Sequence, residues 1–476
     1  MTLQLNSTLR LKIQQEISAQ WDQDITPALT EYIKIPNKSP AFEADWQEKG
    51  HMARAMQLIE NWCRAQPIRG MQIKLLQGTN RTPLLFIDIP GNKEDVILLY
   101  GHMDKQPEMI GWDVDLGPWQ PVLKDNKLYG RGGADDGYAI FTILSAIATL
   151  QRHNLPHAHC KIIIEASEES GSPDLAFYLE QLGAELGNPK LVICLDSGAA
   201  NYEQLWSTTS LRGIVMGLLS IEIMKGGVHS GCASGIVPNP FSILRELLDR
   251  IEDAQTGKIV VPDFYTEIPA QHLAQAQETA KLVGQELYSF YEFLPQVQML
   301  TTDARELLLN RCWRPALTIT GISGLPETEK AGNVTVPSVK AKLSLRLPPT
   351  IPAKQAASTL QKILEEKPPF NAKVHFKILE ANDGWKAPSL APWLEQLTTQ
   401  ASQQFFEKPA AYMGEGGTIP FMGMLGKKFP HAQFLITGVL GPNSNAHGPN
   451  EFLHIPYAKK LTAAIAMIIA GEFAHS

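Results

Sequence analysis

Residues 96–104 read VILLYGHMD, a short apolar run that ends in glycine, histidine and aspartate. Runs of the same character occur at Lys161–Glu165, Leu191–Leu195 and Gln433–Leu440. Their hydrophobic residues are continuous rather than alternating, which predicts strands of a sheet that helices cover on both faces. The apolar segment 138–152, YAIFTILSAIATLQR, is long enough for a crossover helix between the first two strands. The sequence therefore predicts an α/β domain with a helix-covered, mostly parallel sheet.

The middle of the chain has a different pattern. The segment 213–225, GIVMGLLSIEIMK, alternates more, and strand-like and helical segments follow it. This mixture predicts a compact α+β module with an open antiparallel sheet. We place the module at residues 211–383, inserted into a discontinuous α/β domain of residues 1–210 and 384–476, because the α/β pattern resumes after it. The stretch 255–311 is polar and irregular, and its pattern supports no assignment.

The composition is that of an ordinary globular protein. The 476 residues are 44% hydrophobic, and the formal net charge of −7 comes with scattered Lys and Arg, so nucleic acid is not an expected partner and a small polar substrate fits better. Five dispersed cysteines without a C-x-x-C motif argue against disulfides and thiolate zinc sites, and favour a reducing compartment. We find no secretory signal, and the apolar segment 461–474 is short for a membrane span. These features predict a cytoplasmic protein without a membrane partner.

Polar side chains follow each of the four apolar runs. In chain order they are His102 and Asp104, then Glu168 and Glu169, then Asp196, and finally His447 after a short turn. Open α/β sheets place their sites beyond the carboxyl ends of the strands, so we expect these residues to share one crevice. Asp135 and Asp136, in the turn GRGGADDG before the crossover helix, add two carboxylates. Such a set suits zinc or manganese, and five side chains can hold two ions if one carboxylate bridges them.

Adjacent carboxylates have a chemical use beside a metal. In an extended segment Glu168 and Glu169 point to opposite sides, so one can bind an ion while the other takes and returns a proton at the reacting centre. Asp104 is placed to accept the far ring N–H of His102. Each residue also has an ordinary structural explanation, and for Asp136 a capping or turn role is as good as a chemical one. The joint position of these residues beyond four strands favours the metal site.

Other chemistries find little support in the sequence. The glycines of GRGGADDG do not complete a dinucleotide-binding fingerprint, and no P-loop Lys-Ser/Thr pair follows them. No G-x-S-x-G elbow occurs, and no cysteine lies in a recognisable nucleophile context. Covalent catalysis is therefore not expected.

Eight strings of the sequence, distributed over nearly the whole chain, resemble a two-metal amidohydrolase and peptidase family. That family includes carboxypeptidase G, aminoacylase and carnosine dipeptidase, and the chain is most similar to its carnosine-dipeptidase-like members. The strings are GHMDKQP (101–107), GRGGADDG (130–137), EASEESGS (165–172), LDSG (195–198), VHSG (228–231), LSLRLPP (343–349), GEGGTIP (414–420) and NAHGPNE (445–451).

The resemblance implies a role for each residue of the expected crevice. Two divalent ions are implied, with zinc favoured and manganese or cobalt as alternatives. His102 and Asp196 would bind one ion, Glu169 and His447 the other, and Asp135 would bridge them. Glu168 would be the general base, and Asp104 would support His102. Asp136 stays an alternative bridge, because the loop is one residue shorter than in many family members.

The resemblance also implies roles for the inserted module. The module would be a lid or dimerisation domain, through which the chain forms a homodimer. His229 would reach the partner's active site, and Arg346 would hold the substrate carboxylate, although a salt bridge within the lid is an alternative for Arg346. Further substrate contacts would be Asn333, Gly416, Gly417 and Thr418.

These expectations lead to one leading function and two alternatives. We expect a metal-dependent hydrolase that cleaves a peptide or amide bond next to a free carboxylate, with a dipeptidase or carboxypeptidase first. Its substrate would be a small peptide. The alternative is a deacylase of N-acylated amino acids. A catalytically silent binding protein of the same fold is the candidate from another class, and it would show the loss of a ligand or of the base.

Overall fold

A computed structural model describes residues 6–284, 288, 291 and 293–474 of the chain. Its α-helices are α1 (Ser7–Gln20), α2 (Thr26–Ile33), α3 (Trp46–Lys49), α4 (His51–Ala65), α5 (Tyr138–Arg152), α6 (Leu175–Leu182), α7 (Ser230–Ala233), α8 (Pro240–Asp249), α9 (Ala270–Val283), α10 (Ala304–Cys312), α11 (Ala353–Glu365), α12 (Pro392–Phe405), α13 (Pro420–Lys428) and α14 (Ile455–Phe473).

The strands belong to two main sheets and several small ribbons. They are β1 (Gln72–Leu76), β2 (Leu84–Ile89), β3 (Val96–His102), β4 (Val122–Lys124), β5 (Lys127–Tyr129), β6 (His159–Glu165), β7 (Pro189–Cys194), β8 (Trp206–Leu211), β9 (Gly213–Glu222), β10 (Val228–His229), β11 (Glu252–Asp253), β12 (Lys258–Ile259), β13 (Ala316–Ser323), β14 (Val334–Thr335), β15 (Ser338–Leu347), β16 (Lys373–Asn382), β17 (Trp385–Lys386), β18 (Ala411–Glu415), β19 (Gln433–Ile436) and β20 (Phe452–His454).

The central sheet is parallel where it carries the candidate site. Within the described residues its strand order is β1-β2-β6-β3-β7-β19-β8-β17, and β18 also pairs with β8. The pairs β3–β6, β3–β7 and β7–β19 are parallel, whereas β1–β2, β2–β6, β8–β19 and β8–β17 are antiparallel. The predicted α/β class is confirmed, with antiparallel strands confined to the outer parts of the sheet.

Helices on both faces explain the continuous apolar runs. In β3, Ile97 and Leu99 face the core that contains α5 and α14, whereas Leu98 and Tyr100 face the core that contains α6 and α13. The crossover helix α5 has the predicted bounds and is buried along its length except at Arg152. A strand covered on both faces has no polar side, so its sequence does not alternate.

A second sheet lies in the middle of the chain. Within the described residues its order is β13-β15-β9-β16, and all three pairings are antiparallel. Helices α8 and α11 pack on one face and form a separate core with residues such as Leu219, Leu247 and Leu360. The chain enters and leaves this region at adjacent points. A Cβ on Gly213 would lie only 2.9 Å from the backbone nitrogen of Gly384, which shows that the two segments are in close contact. Side chains larger than glycine would push the two crossing segments apart.

Part of the stretch 255–311 returns to the central sheet. Leu308 of α10 packs in the core that contains α5 and α14. Thr279 of α9 donates a hydrogen bond to the Tyr412 carbonyl oxygen in β18 at 2.9 Å. Cys312 lies against the same strand, with its Sγ 2.8 Å from the Gly414 carbonyl oxygen. Helices α9 and α10 therefore belong spatially with the sheet that carries the candidate site.

The C-terminal helix α14 is buried between α5 and α12. Its Glu472 is buried and pairs with Lys93 at 3.1 Å and Lys190 at 3.2 Å. In the part of the chain that the structure describes, no helix is both long and apolar enough to span a lipid bilayer.

Candidate metal centre

Neighbouring parallel strands end at one edge of the central sheet and open a cavity of about 1050 Å³ there. His102 is the last residue of β3, Asp196 lies two residues beyond β7, and Glu168 lies three residues beyond β6. His447 comes from the loop between β19 and β20. Asp135, Glu168, Glu169, Asp196 and His447 border the cavity from this side, and Met216, Leu379, Glu380 and Asn382 border it from the second sheet.

Asp135 lies between the two histidines. Its Oδ1 is 3.3 Å from His102 Nε2, and its Oδ2 is 3.1 Å from His447 Nε2. The same nitrogen of His447 is 3.4 Å from Glu169 Oε2, and His102 Nε2 is 3.8 Å from Asp196 Oδ2. Two groups place one ligand atom from each residue within 4.8 Å of the others: His102 with Asp135 and Glu169, and His102 with Glu168 and Asp196. The structure thus brings together six of the side chains predicted for the crevice: His102, Asp135, Glu168, Glu169, Asp196 and His447.

Asp136 has a different environment from Asp135. It is fully buried, and its Oδ2 accepts a hydrogen bond from the backbone N–H of His102 at 3.2 Å. The peptide bond between Asp135 and Asp136 is cis. Asp135 is therefore the one that occupies the position between the histidines, while Asp136 binds the backbone of β3.

Asp104 contacts both His102 and the turn that carries Glu168 and Glu169. Its two carboxylate oxygens accept the backbone N–H groups of Glu168 and Glu169, each at 3.0 Å. His102 Nδ1 is 3.1 Å from the backbone carbonyl oxygen of Asp104 and 3.4 Å from its Oδ1. The ring N–H thus donates to the carbonyl, whereas the carboxylate fixes the turn that carries the two glutamates. The sequence pattern suggested only the contact with the imidazole.

Crowded carboxylates dominate the electrostatics of the cavity. Burial and the negative charge of Asp196 raise the pKa of Glu168 well above its usual value. Burial and the charge of Asp135 raise the pKa of Glu169 to about 8, and burial raises that of Asp196 to about 6. Burial lowers the pKa of His447, but its hydrogen bond with Asp135 and the charge of Glu169 raise it overall to about 9. Raised pKa values mean that the ionised forms of these carboxylates are disfavoured. Positive charge nearby would keep the carboxylates ionised.

These residues fit a pair of divalent cations. Among the described residues, no group donates a hydrogen bond to the buried Glu169 Oε1. The other oxygen of that carboxylate accepts a hydrogen bond from Gln106 Nε2 at 2.5 Å. Imidazole nitrogens and carboxylate oxygens are the donors that zinc and similar ions prefer. Gln106 lies within the GHMDKQP string, but sequence reasoning gave it no role.

A buried ion pair ties together the two turns that carry Asp135 and His447. Arg131 Nη1 and Glu451 Oε2 are 2.6 Å apart, and both side chains are almost completely buried. Glu451 Oε1 accepts the backbone N–H of Gly132 at 2.9 Å, and Arg131 Nη2 donates to the Gly448 carbonyl oxygen at 2.7 Å. The pair therefore fixes one turn against the other. Both residues belong to the quoted strings, yet nothing in the sequence shows that they meet.

We expect Glu451→Ala to lower the free energy of unfolding by about 3–5 kcal/mol, because it leaves the Arg131 guanidinium buried without its partner. Urea unfolding of the metal-free protein measures this loss. The double variant Arg131→Met/Glu451→Leu is the matched control, since it removes both charges and should be less destabilised than the single variant. Equal losses in the two variants would show that the ion pair is not the source of the effect.

The predicted substrate contacts fall into two groups. His229 and Asn333 are exposed neighbours on the β10–β14 ribbon, where the Ser230 backbone N–H donates to the Asn333 carbonyl oxygen at 2.8 Å. Within the described residues they do not border the cavity. Arg346 of β15 instead donates from Nη1 to Thr418 Oγ1 at 3.0 Å. Gly417 and Thr418 border the cavity, and the carbonyl oxygen of Gly416 accepts a hydrogen bond from Arg212 Nε at 3.1 Å.

The cavity also contains an ion pair that sequence reasoning missed. Arg311 Nη2 lies 2.5 Å from Glu415 Oε2, and both residues border the cavity. Glu415 belongs to the GEGGTIP string, so proximity to Gly417 could have indicated it. Arg311 ends the stretch that the sequence left unassigned, and only the return of α10 to the central sheet brings it here.

Comparison with known proteins gives a consistent result. The sequence matches peptidase family M20/M25/M40 over residues 98–470. It is similar to the cysteinylglycine-S-conjugate dipeptidase of Corynebacterium striatum, with 28% identity over 385 residues that cover 78% of this chain and 82% of that protein. It is also similar to the Beta-Ala-His dipeptidase of Homo sapiens, with 25% identity over 372 residues that cover 75% of this chain and 70% of that protein.

Solved structures agree in fold. Human carnosine dipeptidase 1 superposes with a TM-score of 0.76 and 22% identity, covering 97% of this chain and 99% of that one. The di-peptidase Dug1p of Saccharomyces cerevisiae gives a TM-score of 0.77 with 19% identity, covering 98% and 99%. At these identities the likeness establishes the fold.

Proposed function

Because the chain belongs to peptidase family M20/M25/M40, we propose that it is a metal-dependent dipeptidase, which cleaves the peptide bond next to a free carboxylate. One observation carries the proposal: Asp135 lies between His102 and His447, with further carboxylates around them, in a cavity large enough for a small peptide. The relatives that match most of this chain are named as dipeptidases, which supports this activity over carboxypeptidase action on longer peptides. Deacylation of N-acylated amino acids ranks second.

Two divalent ions would be held by the residues around Asp135. We assign His102 and Asp196 to one ion, Glu169 and His447 to the other, and Asp135 to both, with zinc favoured over manganese and cobalt. When bound, such ions polarise a carbonyl and acidify a water molecule. Gln106 and Asp104 would hold the ligands in place, through Glu169 Oε2 and the backbone of the glutamate turn.

Glu168 is our candidate for the proton-transferring group. Its carboxylate lies in the group formed with His102 and Asp196, and its backbone is held by Asp104. From this position it would take the proton of the attacking water and deliver it to the nitrogen of the departing amino acid. Asp104 acts only through the residues that it orients.

Arg346 is our candidate for binding the free carboxylate of the substrate. Its guanidinium is anchored to Thr418 at the cavity wall, and a planar guanidinium can bind a carboxylate through two parallel hydrogen bonds. We propose that residues 211–383 contain the lid, from which α9 and α10 return to the catalytic unit. His229 and Asn333, exposed on the lid, would then complete the site of a second copy in a homodimer.

The five cysteines are free thiols in the structure, and four of them are buried. Burial raises the pKa of Cys312 to about 12, and it raises the pKa of Cys63 and Cys160 further. Such cysteines act as small apolar residues of the core rather than as catalytic groups. Free thiols are typical of a reducing compartment, and we therefore propose that the enzyme is cytoplasmic.

A substrate panel with the purified protein tests the proposal. The protein is stripped with a chelator, reloaded with zinc, manganese or cobalt, and offered dipeptides, C-terminally amidated dipeptides and N-acetyl amino acids. We expect activity on free dipeptides after metal loading, and loss of at least about tenfold in kcat/KM on amidation, because the bond to Arg346 is lost. Turnover confined to the N-acetyl amino acids would favour the deacylase. Metal binding without turnover of any compound would favour the silent binding protein.

A further inference from the structure

A second cavity of about 550 Å³ adjoins the cavity that contains the candidate metal centre. The walls of the two cavities have Arg311, Glu415, Leu440 and Ala446 in common. The second cavity continues between Ala199 and Ala200 on one side and the loop of residues 441–450 on the other. Its volume is within the range of cavities that hold small ligands. None of the roles assigned above uses this space.

A dipeptide whose carboxylate is bound at Arg346 would extend past Asp135 toward the second cavity. This step depends on the proposed function, in which Arg346 and Thr418 bind the free carboxylate and the cleaved carbonyl lies beside Asp135. Thr418 borders the first cavity alone, whereas Ala446, the neighbour of His447, borders both. The residue that carries the cleaved carbonyl therefore has the second cavity within reach of its side chain.

The walls of the second cavity are polar but without net charge. Asn443, Asn445 and Asn450 contribute carboxamide groups, and Met413 and Leu440 contribute apolar surface. The charged groups at the junction are Arg311 and Glu415, which neutralise each other at 2.5 Å. A carboxamide can donate and accept hydrogen bonds, but it attracts neither a cation nor an anion strongly.

We propose that the second cavity is the subsite for the side chain of the substrate's amino-terminal residue, and that the Arg311–Glu415 pair makes it select large, uncharged side chains. Arg311 is then a specificity-determining residue. Without it, Glu415 would face the junction as an unpaired carboxylate and would favour cationic side chains.

Arg311→Ala tests the charge part of the proposal. We measure kcat/KM of the metal-loaded enzyme for Gln-Gly and Lys-Gly, which differ mainly in the charge of the amino-terminal side chain. The Lys-Gly to Gln-Gly ratio should rise about tenfold in Arg311→Ala, and the rise should shrink at high salt. Arg311→Lys keeps the positive charge and is the matched control, so its ratio should stay near that of the unmodified enzyme. An unchanged ratio in Arg311→Ala would overturn the role of Arg311.

Ala199→Leu tests the size part, because Ala199 lines the second cavity and leucine is the larger residue. The ratio of kcat/KM for Gln-Gly to that for Ala-Gly should fall about tenfold, and the ratio within one protein preparation is insensitive to partial unfolding. An unchanged ratio, or an unmodified enzyme that prefers Ala-Gly to Gln-Gly, would overturn the subsite while leaving the dipeptidase intact. Failure of the unmodified enzyme to cleave any dipeptide would instead overturn the proposed function and this inference together.

Discussion

The variant Glu168→Gln is expected to lower kcat on a dipeptide by about 10²–10⁴-fold, because a glutamine amide cannot accept the proton of the attacking water. The substitution preserves the size of the side chain. It also leaves the backbone N–H of residue 168 free to bind the Asp104 carboxylate, as it does now at 3.0 Å. The loss should therefore come from proton transfer and not from a displaced turn.

Steady-state kinetics and metal analysis together check this expectation. The bound metal content and KM should change little, so that the effect is confined to kcat. Glu180→Gln, on the exposed side of α6, makes the same chemical change away from the cavity and should behave like the unmodified enzyme. Full hydrolysis by Glu168→Gln would refute the assignment of Glu168 as the general base.

Asp135→Asn is expected to weaken metal binding by about 100-fold or more, since loss of a residue that merely supports a ligand already costs 10–100-fold. Asp135 directs one carboxylate oxygen to each histidine, which is the arrangement expected of a ligand shared by both proposed ions. Asparagine has the same shape, but it carries no negative charge and offers one oxygen instead of two. Calorimetric titration with zinc measures the affinity directly, and turnover should fall with it.

The neighbouring substitution Asp136→Asn is the matched control. Asp136 accepts the backbone N–H of His102, and the carbonyl oxygen of an asparagine side chain can accept the same bond. We therefore expect the zinc stoichiometry of Asp136→Asn to equal that of the unmodified protein. If Asp136→Asn lost an ion while Asp135→Asn retained both, Asp136 would be the bridging residue instead.

The fold class was predictable because the signal is local. The apolar run that begins at Val96 and the helix at Tyr138–Arg152 are defined by consecutive residues. A strand that is buried on both faces consists of apolar residues along its length, which can be read from the sequence. The crevice was predictable for a related reason. His102, Glu168 and Asp196 each lie at or just beyond the end of a different strand, and parallel strands bring their carboxyl ends to a common edge.

Contacts between distant segments could not be predicted from local sequence patterns. Arg311 and Glu415 are 104 residues apart in the sequence, and their ion pair exists because α10 packs back onto β18. Arg131 and Glu451 are 320 residues apart and meet only when two turns close on each other. In each case the partner of a charged residue depends on packing, which no short window of sequence records.

The amino-acid sequence by itself determined the layered α/β architecture, the family of the chain, and the histidines and carboxylates that gather around Asp135. The tertiary structure decided which aspartate lies between the histidines, that Asp104 holds the glutamate turn through its carboxylate, and that Arg311 neutralises Glu415 beside a second cavity. The physical reason is the range of the interactions. Hydrophobic periodicity is encoded over a few neighbouring residues, whereas the orientation of a side chain and the partner of a charge depend on segments that meet only in the folded chain.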